Sequence, residues 1–300
     1  GGQGNDNLSG GVGADFLNGN LGNDTIDGGS SADTIFGEDG TDSITGGSGN
    51  NVIDGGNGAD SITATTGSNS ILGGAGNDSV VVDVAQAGTG ASTVDGGAGD
   101  DTISAGSSLS DSLFGGSGDD SLTSAEAAGS ADTVDGGAGD DYIVAGAGSD
   151  VLNGGDDEDS IYADAGNNVV DGGAGNDEIY ANAGNDTALG GAGDDYFELG
   201  NGNNNADGGA DDDSMYGYSG NDTFSGGAGD DYIETGDGTT NTATAGDGDD
   251  EIYSGSGADF LSGGNGVDSI YAGGAADTVD GGAGNDTIYG VAGNDVITSG

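Results

Sequence analysis

The chain has 300 residues, of which 73 are glycine and 55 are aspartate or glutamate, and it contains no lysine, arginine, histidine, cysteine or proline. This composition lies far outside that of ordinary globular proteins and excludes disulfide bonds. A net charge of −55 argues against nucleic acid or an anionic membrane as a partner, because both are bound through basic side chains. The bare chain should behave as a disordered polyanion unless a cation neutralises it.

Nine-residue repeats follow one another from the first residue of the chain. They begin with GGQGNDNLS, GGVGADFLN and GNLGNDTID, stay in register to Val81, resume at Gly96 after an irregular stretch, and continue to Thr298. Position 8 of almost every repeat is apolar, as in Leu8 and Leu17. Each repeat therefore predicts a three-residue strand at positions 7 to 9, with position 8 directed inward and a glycine-rich turn before it.

Odd-numbered and even-numbered repeats differ at position 6. The odd repeats all carry aspartate there, and these residues form the odd row: Asp6, Asp24, Asp42, Asp60, Asp78, Asp101, Asp120, Asp141, Asp159, Asp177, Asp195, Asp213, Asp231, Asp250, Asp268 and Asp286. The aspartates of the even row are Asp15, Asp33, Asp111, Asp132, Asp150, Asp186, Asp222, Asp259, Asp277 and Asp295. The even row also contains Asn51, Asn69, Asn168, Asn204, Asn241 and Ser92.

This alternation predicts two repeats per turn of a coil. Repeats of irregular length are all even-numbered, and they fall mainly within residues 82–135. If two repeats complete one turn, all odd loops stack along one edge of the coil and all even loops along the other, and only the even edge has to accept insertions. The chain would then make about 16 turns, with a structural period of 18 residues.

The loop sequence GGxGxD predicts a metal site. Glycines let the backbone curl and expose carbonyl oxygens, and the aspartate adds a carboxylate. Hard oxygen ligands without histidine or cysteine are typical of calcium sites. One loop offers too few ligands, so two loops one turn apart would share an ion, Asp6 with Asp24 and so on along both rows, for at most roughly 30 calcium ions. The asparagines of the even row predict weaker sites.

These repeats resemble the nonapeptide of the repeats-in-toxin (RTX) family, G-G-x-G-x-D-x-U-x. The resemblance covers essentially the whole chain, although residues 82–135 lose glycines in loops such as AGTGASTVD. By this resemblance the fold is all-β, a right-handed parallel β-roll in which loop carbonyls and paired aspartates bind calcium. It implies a single calcium-binding solenoid over residues 1–300, with irregular loops at 82–135 on one edge.

The resemblance also implies a location outside the cell. RTX proteins are typically exported by type I secretion from Gram-negative bacteria, with a C-terminal signal that this sequence does not contain. The sequence begins and ends inside a repeat without an initiator methionine or signal peptide, so we interpret it as a segment or matured portion of something longer. It should be unfolded without calcium and fold at the roughly millimolar calcium found outside cells.

Two functions without catalysis fit this pattern. We favour a structural part of a bacterial surface layer or similar surface assembly, with calcium and neighbouring subunits as partners, because the repeat is long and offers trypsin-like proteases no cleavage site. The alternative is the repeat block of a secreted adhesin, toxin or protease that acts as a calcium-triggered folding module. Flanking sequence would distinguish them, since a catalytic or toxin-like domain upstream would favour the alternative.

Other interpretations of the same residues are weaker. Acid clusters at 156–159 and 211–213 resemble catalytic carboxylate pairs, but each lies within a repeat loop, so we expect no enzymatic activity. A phosphate cradle is disfavoured, because 55 acidic groups without a lysine would repel phosphate. No apolar run approaches the roughly 18 residues of a membrane span, so direct membrane insertion is not expected.

Tyrosines concentrate at positions 7 and 9 of the odd repeats. Position 9 holds Tyr162, Tyr180, Tyr216, Tyr253, Tyr271 and Tyr289, and position 7 holds Tyr142, Tyr196 and Tyr232. They could stack across strands and reinforce one sheet, or they could form a lateral contact surface for a neighbouring molecule or a glycan. The sequence leaves both interpretations open.

Overall fold

The computed structural model of the chain describes residues 1–82, 90–106, 109–124 and 129–300. Residues 83–89, 107–108 and 125–128 lie outside the described residues, and with them part of the stretch for which irregular loops are predicted. Within the described ranges all regular secondary structure is β-strand. The chain divides into an N-terminal unit, Gly1–Gly155, and a C-terminal unit, Asp156–Gly300. That all 300 residues form a single domain remains a prediction.

In the N-terminal unit the strands belong alternately to two parallel sheets. The first sheet contains β1 (Asn7–Val12), β3 (Thr25–Ser30), β5 (Ser43–Ser48), β7 (Ser61–Thr66), β9 (Ser79–Val82), β11 (Thr102–Ala105), β13 (Ser121–Thr123) and β15 (Tyr142–Val144). The second contains β2 (Phe16–Leu21), β4 (Thr34–Asp39), β6 (Val52–Asn57), β8 (Ser70–Ala75), β10 (Thr93–Ala98), β12 (Ser112–Ser117) and β14 (Thr133–Ala138). Strand β16 (Val151–Asp156) ends at the first residue of the C-terminal unit.

The C-terminal unit repeats this arrangement. Its odd-numbered strands are β17 (Ser160–Tyr162), β19 (Glu178–Tyr180), β21 (Tyr196–Asn201), β23 (Ser214–Ser219), β25 (Tyr232–Gly236), β27 (Glu251–Ser254), β29 (Ser269–Tyr271) and β31 (Thr287–Tyr289). Its even-numbered strands are β18 (Val169–Ala174), β20 (Thr187–Ala192), β22 (Asn205–Ala210), β24 (Thr223–Ala228), β26 (Thr242–Asp247), β28 (Phe260–Asn265), β30 (Thr278–Ala283) and β32 (Val296–Thr298).

Within each unit a strand pairs in parallel with the strand two further along the chain. Leu8 of β1 lies opposite Ile26 of β3, and Ile179 of β19 lies opposite Phe197 of β21, so each pairing joins the same position of repeats one turn apart. The fold is a parallel β-solenoid of about 16 turns with two repeats per turn. This confirms the predicted fold class.

Many strands are longer than predicted. The prediction gave three residues, positions 7 to 9, whereas β3 runs over six, Thr25–Ser30, and includes the first three residues of the next repeat. Gly29 of this strand pairs with Gly11 one turn earlier. Glycines without Cβ atoms allow successive backbones to approach, so the first part of GGxGxD continues the sheet and only its later residues form the turn.

Two buried residues per repeat build the core. In β3 the burial alternates, with Ile26 and Gly28 inside and Thr25 and Asp27 exposed, so position 8 is inward and positions 7 and 9 are outward as predicted. Position 1 forms a second inward column that the prediction omitted. Where it is not glycine it often adds an apolar side chain to the core, such as Leu199 at 0 % exposure.

Eight tyrosines form a continuous stack on the outward face of the odd-numbered strands of the C-terminal unit. Successive ring centroids lie between 4.7 and 5.9 Å apart in the order Tyr162, Tyr180, Tyr196, Tyr216, Tyr232, Tyr253, Tyr271 and Tyr289. We call this stack the tyrosine ladder. Its geometry matches the predicted cross-strand stacking.

Candidate metal centre

Each predicted aspartate lies where a glycine-rich loop ends and the next strand begins. Asp24, for example, directly precedes the first residue of β3. Because every odd loop leads from an even-numbered strand to an odd-numbered one, the fold separates the odd row from the even row. All aspartates of the two rows are at most 3 % exposed, except the half-buried Asp6, Asp15, Asp286 and Asp295. Carboxylates buried this deeply need hydrogen bonds or a cation.

One oxygen of each carboxylate links successive turns. The backbone N–H of Asp24 donates to Oδ1 of Asp42, one turn further along, at 2.7 Å. The same bond joins the N–H of Asp195 to Oδ1 of Asp213 at 2.9 Å. Asparagines of the even row take part in the same way, as at Asn51. Both rows are therefore side-chain ladders that run along the stacked turns.

The second oxygen, Oδ2, is the unusual atom of the site. Among the described residues it is buried without a hydrogen-bond donor at Asp24, Asp33, Asp42, Asp60, Asp78, Asp101, Asp120, Asp177, Asp186, Asp195, Asp213, Asp222, Asp231, Asp250, Asp268 and Asp277. A buried oxygen of this kind costs free energy unless a donor or a cation satisfies it. Its recurrence along both rows fits a series of cations.

Glycine at position 1 lets this oxygen approach the backbone closely. A methyl group on Gly73 would lie 2.6 Å from Oδ2 of Asp78 and 2.6 Å from the carbonyl oxygen of Gly96, the equivalent glycine one turn later. A carboxylate oxygen and a main-chain oxygen from successive turns thus face the same small space. Such hard oxygen donors are the ligands that calcium prefers, so the residues present fit this ion.

Glycine at position 4 allows the loops to stack closely. Gly22 has a φ of +118°, and a methyl group on it would lie 2.8 Å from the carbonyl oxygen of Gly4 in the preceding turn. No side chain fits between the two loops at this point. The glycines of GGxGxD therefore have two separate functions, since position 1 lets the carboxylate approach the backbone and position 4 lets the loop backbones approach each other.

Burial raises the pKa of the row carboxylates. It raises the pKa of Asp78 and Asp195 to about 7 and that of Asp213 to about 8; the N–H donated from the preceding turn partly opposes this, and neighbouring aspartates add to it. In the even row burial raises the pKa of Asp150 and Asp222 to about 6. Without a cation, the carboxylates with a pKa of about 7 or 8 therefore hold protons near neutral pH.

A second kind of loop occurs on the even edge. Position 1 of the odd repeats is glycine except at Ala245, whereas many even repeats have a larger residue there: Ala64, Val82, Ala105, Ser124, Ala145, Ala163, Ala181, Leu199, Thr235, Ser254 and Ala272. Position 2 differs as well. Asp164 and Asn182 have φ of +57° and +62°, while Gly173 on the odd edge has +115°. The smaller positive angle is one that asparagine and aspartate adopt, so these loops need fewer glycines.

Four of the five asparagines at position 6 share a repeat with a larger residue at position 1, whereas Asn51 shares one with Gly46. The pairs within one repeat are Ala64 with Asn69, Ala163 with Asn168, Leu199 with Asn204, and Thr235 with Asn241. The amide nitrogen of Asn168 donates to the carbonyl of Ala163 at 3.3 Å, and that of Asn241 to the carbonyl of Gly236 at 3.2 Å. The amide nitrogen of an asparagine can therefore donate directly to a loop carbonyl, whereas an ionised carboxylate can be linked to that carbonyl only through a cation.

Two further sets of polar contacts were missing from the motif-based prediction. Position 5 forms another ladder in the opposite direction, in which the N–H of Asp212 donates to Oδ1 of Asp194, one turn earlier, at 2.9 Å. The frequent ND and DD pairs were a sequence signal for it. In addition, the hydroxyl of Ser254 at position 1 donates to Oδ2 of Asp259. That contact had no sequence signal, because position 1 was not known to face the carboxylate.

The acid clusters do not converge on a site. Asp156 and Asp157 are exposed, whereas Asp159 is buried in the odd row. Across the described ranges no three acidic side chains come close enough together to hold a metal ion. An ion on either edge would therefore depend mainly on main-chain oxygens, with one or two carboxylates.

A comparison with models of protein families matches the RTX calcium-binding nonapeptide repeat (4 copies) to fourteen adjoining or overlapping segments, which run from residues 1–35 to residues 262–297 and leave no gap between them. A search of the curated proteins finds no match. In the part of the chain that the structure describes, no helix has the length and apolar character needed to cross a membrane.

Proposed function

Because the chain belongs to the RTX family of calcium-binding nonapeptide repeats, we propose that calcium ions along its two aspartate rows hold the solenoid in its folded state. The observation that carries this proposal is the series of buried Oδ2 atoms without a donor. Bound calcium would supply the positive charge that the sequence lacks. The Oδ2 atoms of position 6 and main-chain oxygens of the glycine-rich loops would be its ligands.

The aspartates and glycines of the repeat contribute to folding in different ways. The N–H to Oδ1 ladder sets the position of each carboxylate, as between Asp24 and Asp42. Glycines such as Gly22 allow the loops to stack, and Gly73 lets Oδ2 of Asp78 and the carbonyl oxygen of Gly96 approach each other's turn without a side chain between them. Without a cation the aspartates of a row repel one another and must be buried at a cost, so folding and calcium binding are one process.

The role that we propose is structural and extracellular. The chain would form part of a surface layer or similar assembly of a Gram-negative bacterium, without enzymatic activity, and would fold after export into a calcium-rich medium. The long solenoid and the absence of basic residues, which denies trypsin-like proteases a cleavage site, support this role. The alternative remains a folding module of a secreted adhesin, toxin or protease.

Circular dichroism during a calcium titration tests the folding mechanism. At neutral pH we expect little strand signal without calcium, a cooperative gain as calcium is added, and reversal with a chelator. Magnesium should be a poor substitute, because it requires a tighter octahedral shell. Full strand content in the absence of any divalent ion, or equal folding with magnesium, would show the mechanism to be wrong.

Electron microscopy of the calcium-loaded chain addresses the structural role. Sheets or filaments at millimolar calcium would support a surface assembly, whereas isolated particles at the same concentration would favour the folding module. Turnover of a substrate by the isolated 300 residues would contradict the expectation that the chain is not an enzyme.

A further inference from the structure

Hydroxyl groups reach the even row of the C-terminal unit at two successive turns. Three residues of the row follow one another there, Asp222, Asn241 and Asp259, and none is more than 1 % exposed. The repeat of Asp222 begins with Gly217, whereas the repeats of Asn241 and Asp259 begin with Thr235 and Ser254. A hydroxyl side chain therefore stands at position 1 in the second and third of these turns and not in the first.

The hydroxyls of Thr235 and Ser254 connect the two turns. Their oxygens lie 3.2 Å apart, and the hydroxyl of Ser254 is bonded to Oδ2 of Asp259. An ionised carboxylate has no proton to give, so Ser254 donates its single proton to Asp259 and accepts the proton of Thr235. Thr235 is 0 % exposed, and this bond gives its buried hydroxyl a partner. A chain of two hydroxyls thus ends on the carboxylate.

Both oxygens of Asp259 are satisfied from within the chain. Oδ1 accepts the backbone N–H of Asn241 at 2.6 Å, and Oδ2 accepts the hydroxyl of Ser254. Oδ1 of Asp222 accepts the backbone N–H of Asn204 at 2.8 Å in the same way, but its Oδ2 is buried without a donor. The two aspartates therefore differ at Oδ2, which is the oxygen that the proposed calcium ion would bind.

The side chain of Asn241 is satisfied as well. Its Oδ1 accepts the N–H of Asp222 at 2.9 Å, and its amide nitrogen donates to the carbonyl of Gly236 at 3.2 Å. The amide carries no charge, and its hydrogens bond to a carbonyl oxygen that could otherwise face a cation. With Thr235 at position 1, this repeat has neither the carboxylate nor the first glycine of a calcium loop.

We call the four side chains of Thr235, Asn241, Ser254 and Asp259 the hydroxyl cluster. We propose that this cluster takes the place of calcium, so that two successive even loops, those of Asn241 and Asp259, bind no ion. A donor that is already bonded to Oδ2 removes the electrostatic need for a cation there. The cluster would interrupt the file of ions on the even edge after Asp222. This inference rests on the proposed function, because it says which row residues the calcium ions leave out.

Anomalous X-ray scattering from crystals of the full chain grown in calcium locates each ion. We expect a calcium peak about 2.3–2.6 Å from Oδ2 of Asp222, and no peak at that distance from Asn241 or Asp259. A peak on Oδ2 of Asp259 would overturn the proposal. So would peaks that are confined to the odd row, because the even edge would then exclude calcium with or without the cluster. If neither row shows a peak, the proposed function fails together with this inference.

Ser254→Gly tests whether the serine side chain keeps the ion out. The variant repeat has glycine at position 1 and aspartate at position 6, as the repeat of Asp222 has. We expect one additional calcium peak, on Oδ2 of Asp259, and about one more ion per chain by native mass spectrometry. Ser254→Ala is the matched variant, because it loses the hydroxyl but keeps Cβ. It should gain no ion and should unfold at a lower urea concentration than the parent. A Ser254→Gly chain without a new ion would overturn the proposal.

Two aspartate substitutions compare the sites in solution. Asp222→Asn should lower the number of calcium ions per chain by about one, whereas Asp259→Asn should leave it unchanged. The pair is matched, since both carboxylates belong to the even row and both are 1 % exposed. Equal loss of calcium from the two variants would show that Asp259 does bind an ion.

Ions are counted only in variants whose circular dichroism spectrum has the strand signal of the calcium-folded parent. A parent chain that gains no strand signal with calcium would instead contradict the proposed function.

Discussion

The two oxygens of a row aspartate have different tasks. Oδ1 of Asp213 accepts the N–H of Asp195 and would remain bonded if the carboxylate were replaced by an amide, whereas Oδ2 has only a cation to satisfy it. The charge of the row is therefore needed for the ion and not for the ladder. This distinction can be tested at Asp195, because the exposed Asp194 stands beside it.

Asp195→Asn should lower the unfolding free energy in calcium by about 1–3 kcal/mol. It removes a buried charge that the ion requires, and it adds an amide N–H group for which the site provides no acceptor. Urea unfolding at fixed calcium measures the change. Asp194→Asn is the control, since Asp194 is exposed and its Oδ1 accepts the N–H of Asp212, which an amide oxygen can also do. Equal effects of the two substitutions would show that Asp195 does not bind the ion.

Gly73→Ala tests the need for glycine at position 1. The added methyl group would lie 2.6 Å from Oδ2 of Asp78 and from the carbonyl oxygen of Gly96, so we expect a higher calcium midpoint and a loss of about 1–3 kcal/mol. The control is Gly274→Ala, where a methyl group meets nothing within 4 Å. A calcium midpoint unchanged by Gly73→Ala would mean that these two oxygens take no part in binding calcium.

At the scale of the strand and loop, the sequence predicts the regular parts well. The apolar residue at position 8 recurs in almost every repeat and the aspartate at position 6 in every odd repeat, and both are found where their spacing places them, as for Ile26 and Asp24. Position 1 was not predicted as a core position because glycine has no side chain to show which way it faces. The buried side chains of Leu199 and Thr235 do show that position 1 faces inward. The sequence alone does not reveal this, because it does not show that inward and outward positions keep alternating through positions 1 and 2.

The repeat motif also did not predict the second loop type on the even edge. It depends on the backbone angle at position 2, which is +57° at Asp164 and +115° at Gly173, and no spacing of residue types records an angle. The length irregularities of the even repeats were a visible sign that this edge is less constrained. The amide bond of Asn168 to Ala163 gives a physical reason for part of that freedom.

Asparagine loops should depend less on calcium than aspartate loops. Asn168→Asp alone should destabilise the calcium-loaded chain by about 1–3 kcal/mol, because it buries a charge where Ala163 stands in place of glycine. The double variant Ala163→Gly, Asn168→Asp should recover part of this loss and raise the calcium content, measured by atomic emission. If the single variant alone binds more calcium and is more stable, the side chain at position 1 does not limit the site.

The inward columns supply the apolar stabilisation of each turn. Phe197→Ala should lower the unfolding free energy in calcium by about 3–5 kcal/mol, because the ring is 0 % exposed and its removal leaves a cavity. Leu189→Ala is the control: Leu189 is 41 % exposed, so we expect a change within about 0.5 kcal/mol. Urea unfolding at saturating calcium measures both. A small effect at Phe197 would indicate that ion binding alone determines the stability of a turn.

At the scale of the whole molecule, charge decides whether the chain folds. The pKa of Asp78, Asp195 and Asp213 in the fold lies at about 7, 7 and 8, well above the ordinary value of about 3.9 expected in the unfolded chain. The metal-free fold thus binds more protons than the unfolded chain between about pH 4 and pH 8. The stability that these raised pKa values contribute is fully present below about pH 4 and is lost as the pH rises through the folded-state pKa values.

Acid and calcium should therefore substitute for each other. We expect the metal-free chain to gain strand signal as the pH falls from 8 to 4, and the calcium midpoint at pH 8 to be lower than at pH 6, because calcium competes with protons for the carboxylates. Circular dichroism at both pH values, with light scattering to detect precipitation near the pI of 4.1, measures these effects. A metal-free chain that loses strand signal on acidification would contradict the assignment of raised pKa values to the rows.

The tyrosine ladder has an optical consequence. The sequence has no tryptophan, so near-ultraviolet emission of the chain comes from its tyrosines. The eight tyrosines of the ladder stand in one file with neighbouring ring centres no more than 5.9 Å apart, close enough for an excited ring to pass its energy to the next. Polarised light absorbed by one ring should thus be emitted from other rings, which lowers the fluorescence anisotropy. Low anisotropy would therefore report the formation of the tyrosine ladder as the chain folds.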